Sequence, residues 1–253
     1  MQDLINKIHN ADCLEKMKEI SDKSIDMILC DLPYGTTACK WDTIIPFEPL
    51  WEQYKRIIKD NGAIVLTASQ PFTTNLVSSN IKQFRYEWIW NKTQGSNIFN
   101  AKKQPMKTHE NILVFSKFES QYYPIMTKAE KKNIRPIRDG KSNIYGNNTS
   151  HSVDYDNQLR YPKSILKYSC NDSEVNKLNR IHPTQKPVAL FEYLIKTYTN
   201  EGDLVLDNCS GSGTTAIACL GTNRKYICIE KDEVYYKKSL ERVEEYNKQL
   251  KLF

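Results

Sequence analysis

The residues best equipped for chemistry are Asp31-Leu32-Pro33-Tyr34-Gly35, set directly after the apolar run Ile25-Asp26-Met27-Ile28-Leu29-Cys30. A short hydrophobic strand here ends in a carboxylate, a rigid proline, an aromatic ring and a glycine. Such a set can hold a planar group that bears an amine. Asp31 accepts the amine hydrogens, the backbone carbonyl beside Pro33 is fixed in place, and Tyr34 offers a face for stacking. The same five residues also spell a strand that stops in a Pro-Gly turn, and alone they do not separate the two readings.

A second set lies at 204–215, where Leu204-Val205-Leu206-Asp207-Asn208-Cys209-Ser210-Gly211-Ser212-Gly213-Thr214-Thr215 reads as a strand, a glycine-rich turn and a helix start. Gly211 and Gly213 let the backbone turn sharply and approach a ligand, and the helix start offers unpaired N–H groups. The third glycine of a dinucleotide-binding turn is missing, and no Gly-Lys-Ser/Thr follows to make a phosphate loop. The next strand, 225–229, ends at Glu230, whose carboxylate can accept both hydroxyls of a ribose; a solvated strand end is the alternative. Upstream, His182-Pro183-Thr184-Gln185-Lys186-Pro187 leads into a helix and can offer hydroxyl, amide and ammonium groups to an amino-acid carboxylate. His182 reads as a turn residue. Asp12, in Asn10-Ala11-Asp12-Cys13-Leu14, suits a helix N-cap.

Together these motifs resemble the β group of DNA amino-methyltransferases, which methylate an exocyclic nitrogen of adenine or cytosine. Asp31–Tyr34 is similar to their Asp/Asn-Pro-Pro-Tyr/Phe motif, with Leu32 in place of the first proline. Residues 207–214 are similar to motif I, usually Asp-Pro-Phe-x-Gly-Ser-Gly-Thr, and depart from it at Asn208 and Cys209. Glu230 matches the acid of motif II, and 182–187 looks like motif X. The catalytic motif comes first, a basic middle second, then motifs X and I, which is the order of the β group and a circular permutation of the common methyltransferase sheet. The resemblance covers residues 10–118 and 180–245.

That resemblance implies S-adenosylmethionine (SAM) as cofactor and a flipped base in double-stranded DNA as target. It assigns Asp31, Pro33 and Tyr34 to catalysis. It places Asp12, Thr184, Lys186, Asp207, Gly211, Ser212, Gly213, Thr214 and Glu230 at the cofactor, with Asp12 at the adenine amine and motif X at the methionine end. Members of the group are often homodimers. An acid or Asn at the first motif position leans to adenine N6 and Ser to cytosine N4, so Asp31 favours adenine. Cytosine N4, an RNA substrate and non-catalytic nucleic-acid binding stay as alternatives. Cytosine-C5 enzymes need a Pro-Cys nucleophile, and the chain has no such dipeptide.

Positioning these residues requires an α/β scaffold. Apolar periodicity predicts strands over 25–30, 63–67, 85–90, 111–115, 204–207 and 225–230. Helices are expected over 12–20, 49–60, 71–80, 187–199, 213–220 and 232–250. Alternation of the two argues for a doubly wound, mostly parallel sheet, which the resemblance makes seven-stranded. Trp88 and Trp90 share one strand face and read as core. The expected organisation is a catalytic half at 1–118, a target-recognition insertion at 119–180 and a SAM-binding half at 181–253.

Charge follows the same division. The net charge is +6, and residues 101–180 carry 15 basic against 8 acidic side chains while the flanking segments are near neutral. A basic segment between neutral ones reads as a footprint for a polyanion. Candidate phosphate contacts are Lys102, Lys103, Lys107, Lys131, Lys132, Arg135, Arg138 and Arg160, with Lys40 and Trp41 on the loop after the catalytic turn. The seven scattered cysteines include no C-x-x-C pair, so no zinc site is expected. No apolar run approaches the roughly 18 residues of a membrane span, and the N-terminal stretch lacks an apolar signal core; a cytoplasmic location is expected.

Overall fold

Strand residues alternate between two cores, and that alternation builds the sheet. The computed structural model describes residues 1–37, 39, 41–128, 141–142, 146–147, 158–170, 181 and 184–250. The strands are β1 (Lys7–Asn10), β2 (Ile25–Asp31), β3 (Ile58–Ala68), β4 (Phe84–Ser96), β5 (Lys107–Phe115), β6 (Thr127–Lys128), β7 (Lys141–Ser142), β8 (Gly146–Asn147), β9 (Leu159–Arg160), β10 (Ile165–Lys167), β11 (Leu204–Asp207) and β12 (Lys225–Glu230). The helices are α1 (Cys13–Met17), α2 (Phe47–Ile57), α3 (Phe72–Ser79), α4 (Val188–Tyr198), α5 (Thr214–Leu220) and α6 (Glu233–Leu250).

Two units are formed. Residues Met1–Tyr123 and Ser164–Phe253 make the first, and Pro124–Lys163 the second. In the second unit β6 pairs with β9 and β7 with β8, both antiparallel. The first unit holds an eight-stranded sheet in the order β1-β12-β11-β2-β3-β5-β4-β10, one strand more than the seven expected. Only the β3–β5 and β4–β5 pairs are antiparallel. Ile28, Cys30, Ile64, Leu66, Leu206 and Ile229 face a core shared with α1, α2 and α3. Their neighbours Met27, Leu29, Ala63, Val65, Val205 and Cys228 face a core shared with α4, α5 and α6. Each fully buried aliphatic side chain contributes about 1.5–3 kcal/mol, so both faces of the sheet are needed. Trp88 and Trp90 lie in the second core, 4 % and 2 % exposed, as their spacing predicts.

The structure departs from the periodicity in three places. β1, β10 and the two-residue strands β6 to β9 have no counterpart in the expected pattern, because strands of two to four residues carry too little of it to register. β3 begins at Ile58, where the sequence expects the end of a helix; the pairing with β2 shifts register between Ile25 and Met27 to admit it. Gly62 makes that pairing feasible, since a Cβ there would meet the Asp26 carbonyl oxygen at 2.8 Å. β4 and β5 run beyond their apolar cores into polar extensions.

Asp26 ties three strands together. Its carboxylate accepts the buried N–H of Leu204 at 2.9 Å and pairs with Lys59 at 2.5 Å. Asp26→Ala leaves that N–H without a partner, and we expect a loss of about 1–3 kcal/mol in denaturant unfolding.

Candidate active site

The order of the sheet reverses between β11 and β2. From β2 the chain passes through α2 to β3 on one side, and from β11 through α5 to β12 on the other. A crevice beyond the carboxyl ends of the strands is the usual ligand site at such a switch point. Here it is a cavity of about 1020 Å³. Asp31, Pro33, Tyr34, Asp12, Thr184, Lys186, Asp207, Gly211, Ser212, Thr214 and Glu230 all line it, and so does Trp41. Residues up to 218 positions apart thus meet in one cleft only through the sheet order.

At the end of β2, register sets Asp31 beside Thr67 of β3. The Thr67 hydroxyl donates to Asp31 Oδ1. The Tyr34 hydroxyl lies 2.8 Å from the same oxygen and 3.0 Å from Thr67 Oγ1. Oδ2 receives Lys186 Nζ at 2.6 Å. The Tyr34 ring stacks on Phe72, with centroids 5.2 Å apart. Burial pushes the Tyr34 phenol well above its ordinary value, with the Asp31 and Glu110 charges behind it. The following loop is held by Asp42, whose carboxylate accepts the N–H groups of Gly35, Thr36 and Thr37 at 2.7–2.9 Å.

Glu110, on β5, was missed by the sequence reading. β5 is antiparallel to β3, so its polar start, not its apolar end, reaches the cleft. Glu110 lies opposite Trp90, 3.1 Å from Lys92 Nζ and 3.5 Å from Lys186 Nζ. Burial pushes its carboxyl up, and the two ammonium groups more than reverse this. Burial likewise presses Lys186 towards neutrality, and the Asp31 and Glu110 carboxylates hold it above the usual lysine range. The one available signal was an acid placed just before the apolar run Ile112–Phe115.

The glycine turn follows β11. Asp207 is buried, accepts the Cys209 N–H at 3.1 Å and receives the Thr215 hydroxyl. Gly213 adopts φ +75° at the N-cap of α5, a left-handed conformation that favours glycine; unlike its neighbours it does not line the cavity. Arg242 of α6 donates to the Ser212 carbonyl at 2.9 Å. Glu230 accepts the N–H groups of Gly211 at 2.7 Å and Asp232 at 2.8 Å, and burial raises its carboxyl. Asp12 caps α1 through the Leu14 N–H at 3.0 Å. The buried Ser210 hydroxyl has no hydrogen-bond partner among the described residues.

The remaining candidates are dispersed. Trp41 packs edge-on against Tyr235 at 6.4 Å. Lys102 and Lys103 are exposed just after the short helical turn Ile98–Asn100, away from the cavity lining. Lys107, expected to meet phosphate, lines the cavity and donates to Ser69, and burial lowers its pKa. Arg160 belongs to the second unit and donates to the Leu159 carbonyl at 2.8 Å. Lys40, Lys131, Lys132, Arg135, Arg138, His182 and Pro183 lie outside the described residues.

A sheet of this order, with an acid-tipped strand and a glycine turn meeting at its switch point, has the class I SAM-dependent methyltransferase fold. Solved structures of that fold superpose on the chain: the M1.HpyAVI–SAM complex has a TM-score of 0.63 at 22% identity, covering 94% of this chain and 98% of that one. The PvuII cytosine-N4-specific DNA methyltransferase has a TM-score of 0.65 at 18% identity, covering 96% and 91%. Among curated proteins, the DNA adenine methyltransferase YhdJ of Escherichia coli K12 is 29% identical over 94% of this chain and 82% of its own length. The type II methyltransferase M.HpaI of Haemophilus parainfluenzae is 27% identical over 92% and 73%. The family model described as DNA methylase, that of the N6/N4 enzymes, matches residues 25–241. The chain belongs to this family of DNA amino-methyltransferases.

Burial drives the Asp207 carboxyl up to about 7. A folded-state pKa above the unfolded value means that the native protein holds the proton more tightly. The associated stability is complete below about pH 4 and is lost as pH rises through about 7. Unfolding free energies measured between those limits should therefore fall with pH more steeply for the wild type than for Asp207→Asn, by up to about 4 kcal/mol across the window. Parallel curves would remove Asp207 as the titrating group.

Proposed function

We propose that the protein transfers a methyl group from SAM to the N6 amine of an adenine flipped out of double-stranded DNA. One observation carries this: an amine-accepting carboxylate, Asp31, and a nucleoside-binding edge, Glu230 with the glycine turn, open into the same cavity. The donors and acceptors present suit the cofactor. Glu230 retains lone pairs for two ribose hydroxyls, Asp12 for an adenine amine, and the unpartnered Ser210 hydroxyl needs a polar neighbour. Asp207, Gly211, Ser212, Gly213 and Thr214 shape the turn against the cofactor, and Thr184 and Lys186 flank its methionine end. SAM supplies an electrophilic methyl group on sulfur.

The rest of the reaction falls to the chain's own groups. An exocyclic amine conjugated to its ring is a poor nucleophile. Asp31 and a backbone carbonyl near Pro33 accept its two hydrogens, which favours a pyramidal nitrogen with an available lone pair. Both acceptors also stabilise the positive charge that develops there. Tyr34, fixed by its hydroxyl and by Phe72, stacks on the flipped base. Asp31 favours adenine over cytosine, in line with the named specificity of the Escherichia coli relative.

Residues 119–180 act as the target-recognition insertion between the catalytic half at 1–118 and the SAM-binding half at 181–253. Trp41, Lys40, Lys102, Lys103, Lys131, Lys132, Arg135 and Arg138 contact DNA. The enzyme works as a homodimer in the cytoplasm, where its substrate is. No helix among the described residues is long and apolar enough to cross a membrane.

Labelled methyl transfer to unmethylated duplex DNA, followed by nucleoside analysis, should yield N6-methyladenine. N4-methylcytosine would transfer the reading to cytosine, and labelling of RNA alone would overturn it. Asp31→Ala should lower transfer by about 100-fold or more while SAM binding is kept. Lys102→Ala with Lys103→Ala should reduce the slope of log affinity against log salt by about two, the mark of two lost phosphate contacts.

A further inference from the structure

Four charged side chains from four elements form a line on the cavity floor: Lys92 on β4, Glu110 on β5, Lys186 just before α4, and Asp31 on β2. Lys92 Nζ lies 3.1 Å from Glu110 Oε1. Lys186 Nζ lies 3.5 Å from Glu110 Oε2 and 2.6 Å from Asp31 Oδ2. The Lys186 side chain is 6% exposed, and those of Lys92 and Glu110 are 11% and 14% exposed. Glu110 Oε2 is buried and makes no hydrogen bond among the described residues. An unfilled acceptor at this depth is unfavourable, and the donor that would fill it, Lys186, is already an ion-pair distance away.

Asp31 has the opposite condition. Oδ1 receives the Tyr34 and Thr67 hydroxyls and Oδ2 receives Lys186. Methyl transfer needs an Asp31 oxygen to accept an amine hydrogen, and an ammonium group on Oδ2 takes one of its two lone pairs and weakens the other as an acceptor. We propose that Glu110 is a positioning residue that takes the Lys186 ammonium as the target amine arrives, freeing Asp31 Oδ2. The inference rests on the reading of Asp31 as the amine acceptor.

The exchange moves no proton and breaks no covalent bond. Lys186 keeps a carboxylate in either position, and the rings of Tyr34 and Trp90, at 5.8 and 6.0 Å, flank the ammonium. Lys92 holds Oε1, so Oε2 stays turned towards Lys186. A second carboxylate is what lets the ammonium leave Asp31 without being stranded as a lone buried charge.

The test is single-turnover methyl transfer at saturating SAM and duplex DNA. Glu110→Gln keeps the shape and loses the charge, and its rate should fall about tenfold or more. Affinities for SAM and DNA should stay within about twofold, and Glu110→Asp should recover most of the rate. Without Lys186 there is no ammonium for Glu110 to receive. Glu110→Gln combined with Lys186→Met, which removes one charge of each sign, should then be no slower than Lys186→Met alone. An additive loss in the double variant, or an unchanged rate for Glu110→Gln, overturns the proposal. If Glu110→Gln does not fold, the comparison of the double variant with Lys186→Met decides in the same way. Asp31→Ala separates the two levels: retained transfer would sink the acceptor role itself, whereas lost transfer beside an unaffected Glu110→Gln sinks only this inference.

Discussion

The contact on which the site depends is the ion pair between Asp31 and Lys186, whose partners stand 155 residues apart and meet at 2.6 Å. One arrives at the end of a strand from the first part of the chain and the other on the loop that leads into α4. Removing Lys186 leaves Asp31 without its cation, whereas removing Asp31 leaves the ammonium with Glu110 alone, 3.5 Å away. The pair therefore holds the two walls of the cleft in one arrangement. It also fixes the orientation of the carboxylate at the end of β2.

Around that pair the sheet explains how β2, which carries Asp31, lies early in the chain yet central in the sheet. β2 stands between β11 and β3; β3, β5, β4 and β10 build one flank, and the last strands β11 and β12 build the other, with β1 joined to β12 at its edge. The cleft forms wherever the order reverses, whichever flank is made first. Each strand serves two cores through alternate residues, and a slip of one position would exchange Leu29 for Cys30, and Val65 for Leu66, between them. The register that sets Asp31 beside Thr67 is protected by all of that burial.

The cofactor side shows how a departure from the usual motif is absorbed. Asn208 is buried and accepts a hydrogen bond from the Tyr54 hydroxyl of α2. Arg242 of α6 grips the Ser212 carbonyl, and Glu230 of β12 takes the Gly211 N–H. The turn is thus fastened from three elements, and Asn208, one of the two departures, is itself the point at which α2 holds it.

Much of this was legible along the chain. Apolar runs and glycine turns marked the central strands β2, β11 and β12 and all six helices, since each is long or sharply bounded enough for local pattern to register. Asp31, Tyr34, Asp207, Gly211 and Glu230 could be singled out because strand ends and tight turns demand particular residue types. β1, β10 and the early start of β3 escaped, because their pairing depends on neighbours far away in sequence. Glu110, Thr67, Lys92 and Asp42 escaped for the same reason. Sequence alone determined which groups were available for chemistry and in what order. Only the tertiary structure decided which of them touch, because the antiparallel placement of β5 and the reversal between β11 and β2 bring distant charges within a few ångströms, and no local spacing encodes that distance.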